Sequence, residues 1–367
     1  MIPPFRYIQT RELTREQLLR DLYRAYLDAR KHKRGKPYQL KYEMQLEDNL
    51  LELRDALWER RYEPLPSKCF VIENPTLREV FAADFRDRVV HHLYYNYTYG
   101  VFDKTFIEDS YSCRKGKGTH YGIERMFQHV KEESDGYSGV CYVLKMDISG
   151  YFMHIDRERL CRLALETLKG MKKNYDFIRY ITEKIVLLDP TEKCKMFGKK
   201  SDWDRLPYNK SLFKSPAGCG LPIGNLTSQV FSNVYMNFFD QWMEKEMECK
   251  HYGRYVDDFY VVSKDRRWLV SLVPKIEKFL SQELGLFPNS NKTLIYDARH
   301  GVPFLGCFLK EGRVYVLNRS WKRMKRNMLR EQVHAGPLRL RSTMNSYLGI
   351  LKHYKTYNKT RGFLDCK

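Results

Sequence analysis

The sequence predicts an α+β protein, in which helices alternate along the chain with short β-strands. Apolar side chains recur at helical spacing after Thr14 and Gln17, which stand in the positions of a helix capping box. Two short apolar runs between residues 70 and 81 predict a β-hairpin, and two more between residues 254 and 262 predict a second one. Helices combined with such strand pairs indicate the α+β class.

The other elements are predicted in chain order. The first helix ends in a basic loop at residues 30–36, and a second helix carries Leu46, Leu50, Leu53 and Leu57. Asn74-Pro75 is the predicted turn of the first hairpin. A strand at 140–146, a helix at 157–168 and a helix at 227–248 follow, and then strands at 254–256 and 259–262. The polar, lysine-rich stretch at 189–220 is too long for an ordinary connection, so we expect it to be functional or mobile.

The charge of the chain is strongly positive. Lys and Arg number 65 against 45 Asp and Glu, which gives a formal net charge of +20. Such an excess favours nucleic acid as a partner, with a basic surface that only aids solubility as the alternative. After Lys310 the only acids are Glu311, Glu331 and Asp365, so this basic segment would repel itself unless a polyanion lay against it.

The hydropathy of the chain predicts a cytoplasmic protein with no membrane partner. No apolar run is long enough to span a bilayer, and the first four residues, Met-Ile-Pro-Pro, do not begin a signal peptide. The nine cysteines are scattered without a C-x-x-C pair, which indicates reduced thiols rather than a disulfide framework or a zinc site.

Three aspartates stand where an apolar strand should avoid charge. One predicted strand ends at Asp147, and the second hairpin turns over on Asp257-Asp258. Conflicts of this kind are typical of functional sites. Three converging carboxylates suit hard divalent cations, and the chemistry that requires them is phosphoryl transfer with two metal ions. An ordinary hairpin turn is the alternative for an Asp-Asp pair alone.

The sequence resembles the reverse transcriptases at six blocks that occur in the family's order. Tyr255-Val256-Asp257-Asp258 matches the catalytic tetrad, and residues 144–152, Leu-Lys-Met-Asp-Ile-Ser-Gly-Tyr-Phe, match the first catalytic block. The other four blocks are a template-side block at 110–120, a block under the primer and incoming nucleotide at 220–229, residues 284–293, and a primer grip at Phe304-Leu305-Gly306. Six ordered matches make coincidence implausible.

The resemblance implies a right-hand polymerase with fingers, a palm built from an antiparallel sheet backed by helices, and a helical thumb. The corresponding regions are an N-terminal helical region at 1–60, fingers at 61–139, a palm at 140–310 with the long insertion at 189–220, and a basic thumb at 311–367.

The resemblance also implies the chemistry of the acids. Asp147, Asp257 and Asp258 would bind two Mg²⁺ ions, with Mn²⁺ as the alternative, and the backbone carbonyl of Ile148 would assist. Lys292 stands where the family has a lysine that protonates the leaving pyrophosphate, although a solvated surface lysine is the alternative.

Contacts to the incoming nucleotide follow from the same resemblance. Phe152 takes the steric-gate position, where a bulky ring excludes a ribose 2′-hydroxyl, and a core aromatic is the alternative. Lys68 and Arg78, on the arms of the first hairpin, would meet the triphosphate. Ile223 and Gly224 would lie beside the nascent base pair.

Contacts to the template and primer are expected from three segments. They are the template-side block, the primer grip and the thumb, with Arg114, Lys115, Lys117, Phe304, Leu305, Gly306, Lys322, Lys325 and Arg326 as the candidate residues. The implied partners are an RNA template, a DNA or RNA primer and deoxynucleoside triphosphates.

Ile223 is a departure from the commonest family pattern, which has Gln at this position. Leu221-Pro222-Ile223-Gly224 resembles the corresponding block of enzymes from diversity-generating retroelements and of several antiphage-defence enzymes. The retroelement enzymes work with a basic accessory protein. The resemblance therefore implies an accessory protein and a non-coding RNA as further partners. RNA-dependent RNA synthesis on the same palm and a catalytically inactive RNA-binding scaffold are the alternative functions. Phe152 argues against the first, and the presence of all three aspartates argues against the second.

Overall fold

The structure is a computed structural model of the chain, and it describes residues 8–73, 76–310, 312–334, 336–354, 356 and 361. The helices are α1 Arg15–Ala29, α2 Pro37–Glu43, α3 Leu46–Trp58, α4 Phe85–Phe102, α5 Thr119–Glu133, α6 Tyr151–His154, α7 Arg157–Leu168, α8 Tyr175–Val186, α9 Lys200–Asp204, α10 Leu226–Lys245, α11 Arg266–Leu284, α12 Asn318–His334 and α13 Pro337–Leu351. The strands are β1 Ser67–Ile72, β2 Arg78–Ala82, β3 Tyr142–Ser149, β4 Cys194–Phe197, β5 Tyr252–Tyr255, β6 Asp258–Ser263, β7 Phe287–Pro288, β8 Leu294–Asp297, β9 Val302–Phe304, β10 Cys307–Lys310 and β11 Arg313–Val316.

The chain divides into two compact units that are interleaved in sequence. The first unit comprises Met1–Ile107, Ile148–Trp242 and Glu277–Phe287, and the second comprises Glu108–Asp147, Met243–Ile276 and Pro288–Lys367. Both units contain helices and strands, and the antiparallel pairs of both predicted hairpins are present, so the α+β class is confirmed.

The first unit contains a helical core. Helix α1 packs against α3 and α4, and the side chains of Leu18 and Leu22 are fully buried between them. The Oγ1 atom of Thr14 accepts a hydrogen bond from the backbone N–H of Gln17 at 3.1 Å, which confirms the predicted start of α1. None of the helices within the described ranges is long and apolar enough to cross a membrane.

A three-stranded sheet completes the first unit, and we call it the hairpin sheet. Strand β1 pairs antiparallel with β2, which confirms the first predicted hairpin, while its predicted turn Asn74-Pro75 lies outside the described residues. Strand β4 pairs with β1 in parallel, so the strand order is β2-β1-β4.

The 189–220 insertion supplies β4 and has structure of its own. It also contains α9 and two 3₁₀ turns, at Tyr208–Lys210 and Leu212–Lys214. The buried carboxylate of Glu79, on β2, accepts hydrogen bonds from Trp203 Nε1 at 2.8 Å, Ser211 Oγ at 3.0 Å and Leu212 N at 2.6 Å. The insertion is therefore packed into the first unit and is not an unstructured connection.

The second unit is built on an antiparallel sheet, in which β5, β6, β3 and β8 lie side by side. Helix α5 packs on this sheet, and a smaller sheet of β9, β10 and β11 lies against the same apolar core. The core residues are Tyr111, Ile123, Met126, Val130, Cys141, Val143, Tyr260, Val262, Ala298, Val302, Phe304, Cys307 and Leu309. The sheet holds the ends of β3 and β6, which carry the predicted catalytic acids.

Two helices at the end of the second unit form a small cluster of their own. Met324 on α12 and Leu351 on α13 are buried with Val316, and Trp321 and Tyr347 pack around them. The rest of α12 is exposed and basic, with Arg319, Lys322, Arg323, Lys325, Arg326 and Arg330 on its surface.

Candidate active site

The tetrad 255–258 forms a tight hairpin turn in the second unit. Tyr255 and Asp258 are cross-strand partners, so Val256 and Asp257 form a two-residue loop between β5 and β6. Val256 has φ +59°, at the loop position where such turns usually have glycine. A β-branched residue in the left-handed region is strained, and the surrounding structure must hold it there.

Arg254 provides that support. Its side chain is completely buried, and it is among the largest side chains in the described residues with no exposed surface. Its Nη1 atom donates a hydrogen bond to the carbonyl oxygen of Val256 at 2.9 Å, and its Nη2 atom donates to Ser110 Oγ at 3.2 Å. The strained turn is therefore fixed by a partly buried, charge-assisted hydrogen bond from a buried arginine.

The third acid, Asp147, lies directly across the sheet from the turn. Strand β3 pairs with β6 in a register that makes Asp147 the partner of Asp258. Directly opposite side chains in an antiparallel pair have their Cβ atoms about 4.5–5.5 Å apart. The sheet thus brings together two like charges that would repel each other unless a cation lay between or beside them.

Two lysines lie against these acids. Lys145 Nζ is 3.2 Å from Asp258 Oδ1, and Lys292 Nζ is 2.8 Å from Asp147 Oδ1. Lys292 is placed by a 3₁₀ turn at Ser290–Lys292, and the turn is anchored because Asn289 N–H donates to the Asp147 carbonyl at 2.7 Å. Lys292 therefore lies against the acid cluster in the structure.

The burial of Asp257 and Asp258 beside Asp147 favours the binding of cations. Burial, with the neighbouring Asp147 carboxylate, raises the pKa of Asp257 to about 6. Burial also raises the pKa of Asp258, while Lys145 opposes that rise. Desolvated carboxylates that repel one another gain most from a bound divalent ion.

Carboxylate oxygens, as carried by the three aspartates, are ligands of the kind that Mg²⁺ uses. Within the part of the chain that the structure describes, no group of three or more His, Cys, Asp or Glu side chains is arranged so that it could hold a metal ion by itself. Mg²⁺ usually binds through one or two carboxylates and takes its other ligands from water and substrate phosphates. Asp147 and Asp258 are half-buried partners across a strand pair, and the half-buried Asp257 lies in the adjoining turn, so the carboxylates that such binding needs are present.

The predicted template-side block lies beside β5. Ser110 forms a parallel bridge with Arg254, because Arg254 N–H donates to the Asp109 carbonyl and Tyr111 N–H donates to the Arg254 carbonyl, both at 2.9 Å. Tyr111 is fully buried, and its hydroxyl is 2.7 Å from that of Tyr260 on β6. The block is therefore fixed to the same hairpin as the acids.

The three basic residues of this block are in different environments. Lys117 Nζ is 3.0 Å from Glu108 Oε1, and Arg114 Nη1 donates to the Ser110 carbonyl at 3.1 Å. Lys115 is exposed. Lys117 and Arg114 thus have internal partners that a nucleic acid would have to share.

The predicted primer grip forms a turn with a buried end. Phe304 is 1% exposed and packs edge-on against Tyr260 in the core, so its ring is not on the surface. Leu305 and Gly306 both have positive φ and are half-buried, and the Gly306 carbonyl accepts a hydrogen bond from Leu317 N–H at 3.1 Å. Of the three predicted residues, Leu305 and Gly306 are the accessible ones.

In the first unit, Phe152 and Ile223 pack on one apolar cluster. The cluster contains Cys69, Phe81, Met153 and Leu212, and both predicted nucleotide-contact residues are half-buried against it. The Ile223 carbonyl accepts a hydrogen bond from Phe81 N–H at 2.9 Å. Gly224 has φ +125°, and a Cβ there would meet the Phe81 carbonyl oxygen at 2.9 Å, so only glycine fits. Ile148 is buried, which leaves its backbone as its polar part.

Lys68 and Arg78 are exposed on the hairpin sheet. Lys68 Nζ lies 5.9 Å from the ring centre of Tyr38 and 5.7 Å from that of Phe197. Arg78 Nε donates a hydrogen bond to Thr76 Oγ1 at 2.9 Å. On α12, the predicted thumb residues Lys322, Lys325 and Arg326 are all exposed.

The sequence interpretation missed Arg254, Lys145 and Glu79. Each is a charged residue within an apolar strand, which is the same conflict that singled out the three aspartates. That signal was available for all three residues, but their partners are distant in sequence and become visible only in the fold.

Comparisons with known proteins match one family, one curated protein and solved structures of telomerase. The family model described as reverse transcriptase (RNA-dependent DNA polymerase) matches residues 75–309. Protein YkfC of Escherichia coli K12 is 24% identical over 288 residues, covering 69% of each chain. Two structures of apo telomerase from Candida tropicalis, one of them truncated from its C-terminal domain, share 12% identity with TM-scores of 0.49. They cover 69% and 71% of this chain, which spans 55% and 50% of theirs.

Proposed function

The chain belongs to the reverse transcriptase family of RNA-dependent DNA polymerases, and we propose that it extends a primer with deoxynucleotides on an RNA template by two-metal phosphoryl transfer. The observation that carries the proposal is the pairing of Asp147 with Asp258 across the sheet, with Asp257 in the adjoining turn. Two bound Mg²⁺ ions, with Mn²⁺ as the alternative, would activate the primer 3′-hydroxyl and neutralise the leaving pyrophosphate.

The residues of the chain have distinct roles in this proposal. Asp147, Asp257 and Asp258 would bind the metal ions, and the carbonyl of Ile148 would assist. Lys292, whose ammonium group lies beside the acids at 2.8 Å from Asp147 Oδ1, would give a proton to the leaving pyrophosphate. Lys145 limits the repulsion between the acids by pairing with Asp258.

Nucleic acid binding is proposed for the exposed cations of the second unit. Helix α12 presents Lys322, Lys325 and Arg326 on its surface with few acids, and Glu331 on the same helix is paired with Arg339 at 2.8 Å. Such a surface binds phosphates without reading sequence. Arg114, Lys115 and Lys117 would contact the template strand, and Leu305 and Gly306 the primer, with Phe304 supporting the turn from the core.

Primer extension with deoxy- or ribonucleotides tests the polymerase proposal and the role of Phe152 together. We expect the wild type to extend a primer on RNA with deoxynucleotides and to discriminate strongly against ribonucleotides. Phe152→Ala should lower that discrimination in kcat/KM by at least about tenfold, because the ring that meets the 2′-hydroxyl is removed.

The matched control is Phe213→Ala, which removes another ring that packs on Phe81. We expect it to leave the discrimination ratio unchanged. An equal loss for both nucleotide sets in Phe152→Ala would mean that Phe152 is a core aromatic. Extension with ribonucleotides alone would indicate an RNA polymerase, and RNA binding without any extension would indicate an inactive scaffold.

The biological role we propose is that of a diversity-generating retroelement or an antiphage-defence system, with a non-coding RNA and a basic accessory protein as further partners. The support is Ile223, since an aliphatic side chain beside the nascent base pair lacks the hydrogen bond that Gln can form. The half-buried position of Ile223 against Phe81 also agrees with a packing role.

Ile223→Gln separates these two roles. If Ile223 contacts the nascent pair, the Gln variant should lower misincorporation by about fivefold, most visibly opposite template adenine, because one hydrogen bond is worth about 1 kcal/mol. If Ile223 only packs, the variant buries an unpaired amide and lowers the yield for every base alike. Deep sequencing of cDNA made by both proteins on one RNA gives the error spectrum and the yield.

A further inference from the structure

The hairpin sheet has one buried and one exposed face. Ser67 and Cys69 of β1, and Glu79 and Phe81 of β2, face the protein interior. Alternation along the strands places Lys68 on the other face, and the exposed Arg78 lies on that face too, because it is the cross-strand partner of Ile72. The two residues proposed to meet the triphosphate therefore share an open surface.

The insertion adds a third cation to this face. Strand β4 pairs in parallel with β1, and Lys195 is the direct partner of Lys68. Both lysines are exposed, and adjacent strands lie about 4.8 Å apart, so the two ammonium groups can converge on one ligand. Like charges directly opposite each other in a sheet are destabilising, so an anion that bound both lysines would offset their repulsion.

The buried face explains how β4 is held in register. Glu79 lies on β2 and accepts three hydrogen bonds from the part of the insertion that follows β4. Its carboxylate is 1% exposed, and each of its contacts is made inside the first unit. Glu79 thus ties the segment after β4 to β2, while the pairing of β4 with β1 sets Lys195 beside Lys68.

Two aromatic rings lie beside Lys68, and a cation flanked by rings suits a nucleotide ligand better than an inorganic anion. Phe197 follows Lys195 by two residues, so it lies on the same face, and its ring centre is 5.7 Å from Lys68 Nζ. Tyr38 lies at a similar distance from the same ammonium group. A lysine kept in place by neighbouring rings, as Lys68 is, is preorganised for a phosphate ligand.

We propose that Lys195 is a third phosphate-binding residue of this enzyme, which grips the triphosphate of the incoming deoxynucleotide together with Lys68 and Arg78. This inference rests on the proposed polymerase function. It assigns a function to the 189–220 insertion, which places a lysine on the proposed nucleotide-binding face of the hairpin sheet.

The test uses Lys195→Gln and Lys195→Glu in the full chain. We expect the KM for deoxynucleotides to rise about tenfold in Lys195→Gln and on the order of a hundredfold in Lys195→Glu, with the Kd for template–primer unchanged. Lys195→Glu should melt no lower than wild type, because Glu opposite Lys68 forms a favourable cross-strand pair. Higher KM without lower stability cannot come from damage to the sheet.

Lys200→Gln and Lys200→Glu are the matched controls, since Lys200 is an exposed lysine of the same insertion on α9. They should leave both KM and Kd at wild-type values. A raised template–primer Kd with unchanged KM in the Lys195 variants would mean that Lys195 contacts a nucleic acid backbone and would overturn the proposal. Unchanged KM and Kd would overturn it as well.

Calorimetric titration with inorganic tripolyphosphate separates this proposal from the polymerase function. If the wild type made no DNA, the polymerase proposal would fail, yet the titration would still decide the role of Lys195. Weaker tripolyphosphate binding in Lys195→Gln than in Lys200→Gln supports a phosphate site on the hairpin sheet. Equal binding by the two variants contradicts it.

Discussion

Asp257→Asn is expected to reduce DNA synthesis by at least about a thousand-fold, which corresponds to about 4 kcal/mol of transition-state stabilisation. The amide keeps the shape of the side chain but removes the charge that a divalent ion requires. Asp257 lies in the turn between Tyr255 and Asp258, where burial and Asp147 make a bound cation most favourable. Single-turnover primer extension on an RNA template measures the loss.

Two further measurements distinguish loss of metal binding from loss of folding. The melting temperature of Asp257→Asn should equal or exceed that of wild type, because the variant removes one of three repelling carboxylates. RNA affinity should stay close to wild type, since the exposed cations of α12 are untouched. Asp135→Asn, which alters an exposed carboxylate paired with Lys264, is the control and should retain full activity. Synthesis near the wild-type rate in Asp257→Asn would remove Asp257 from the metal site.

Arg254→Met should give the second largest effect, on both stability and catalysis. The substitution leaves the Val256 carbonyl and Ser110 Oγ without their buried partner, and we expect it to destabilise the fold by about 2–4 kcal/mol. Because the Val256 carbonyl belongs to the strained turn, kcat should also fall, and more Mg²⁺ should be needed for half-maximal activity. Arg254→Lys keeps the charge and should restore part of both properties.

Arg157→Met is the matched control for Arg254→Met. Arg157 is also a buried arginine that donates to a carbonyl, that of Cys219 at 2.9 Å, and it pairs with Asp189 at 2.8 Å. Its loss should lower stability in a similar way without changing the Mg²⁺ requirement of the folded protein. If Arg254→Met lowered stability but left the Mg²⁺ requirement of the folded enzyme unchanged, Arg254 would have no positioning role.

The strands and helices of the fold were predictable where local pattern decides them. The hairpin around Asp257 was predicted because two short apolar runs flank a polar pair, and the start of α1 because Thr14 and Gln17 form a recognisable cap. Helix α7 begins and ends at the predicted residues, 157 and 168. In each case the interactions that fix the element lie within a few residues of each other.

The unpredicted features depend on residues that are far apart in the chain. Arg254 reads as an ordinary basic residue until Ser110, 144 positions earlier, is seen beside it. Strand β4 is a parallel partner of β1, and parallel pairing leaves no turn signal in the sequence. Glu79 is buried by the insertion, whose placement no local pattern indicates. The three aspartates proposed to bind metal, by contrast, were singled out by local sequence, although β3 continues to Ser149 and does not end at Asp147 as predicted.

The interleaving of the two units has a consequence for synthesis on the ribosome. Lys145 on β3 and Asp258 on β6 are 113 residues apart. At typical elongation rates, β6 is therefore translated on the order of 6–20 s after β3. During that interval β3 is an apolar nascent strand with no antiparallel neighbour, which is the kind of segment that associates with other chains. Slow codons between these strands would therefore lower the yield of folded enzyme without altering a single amino acid.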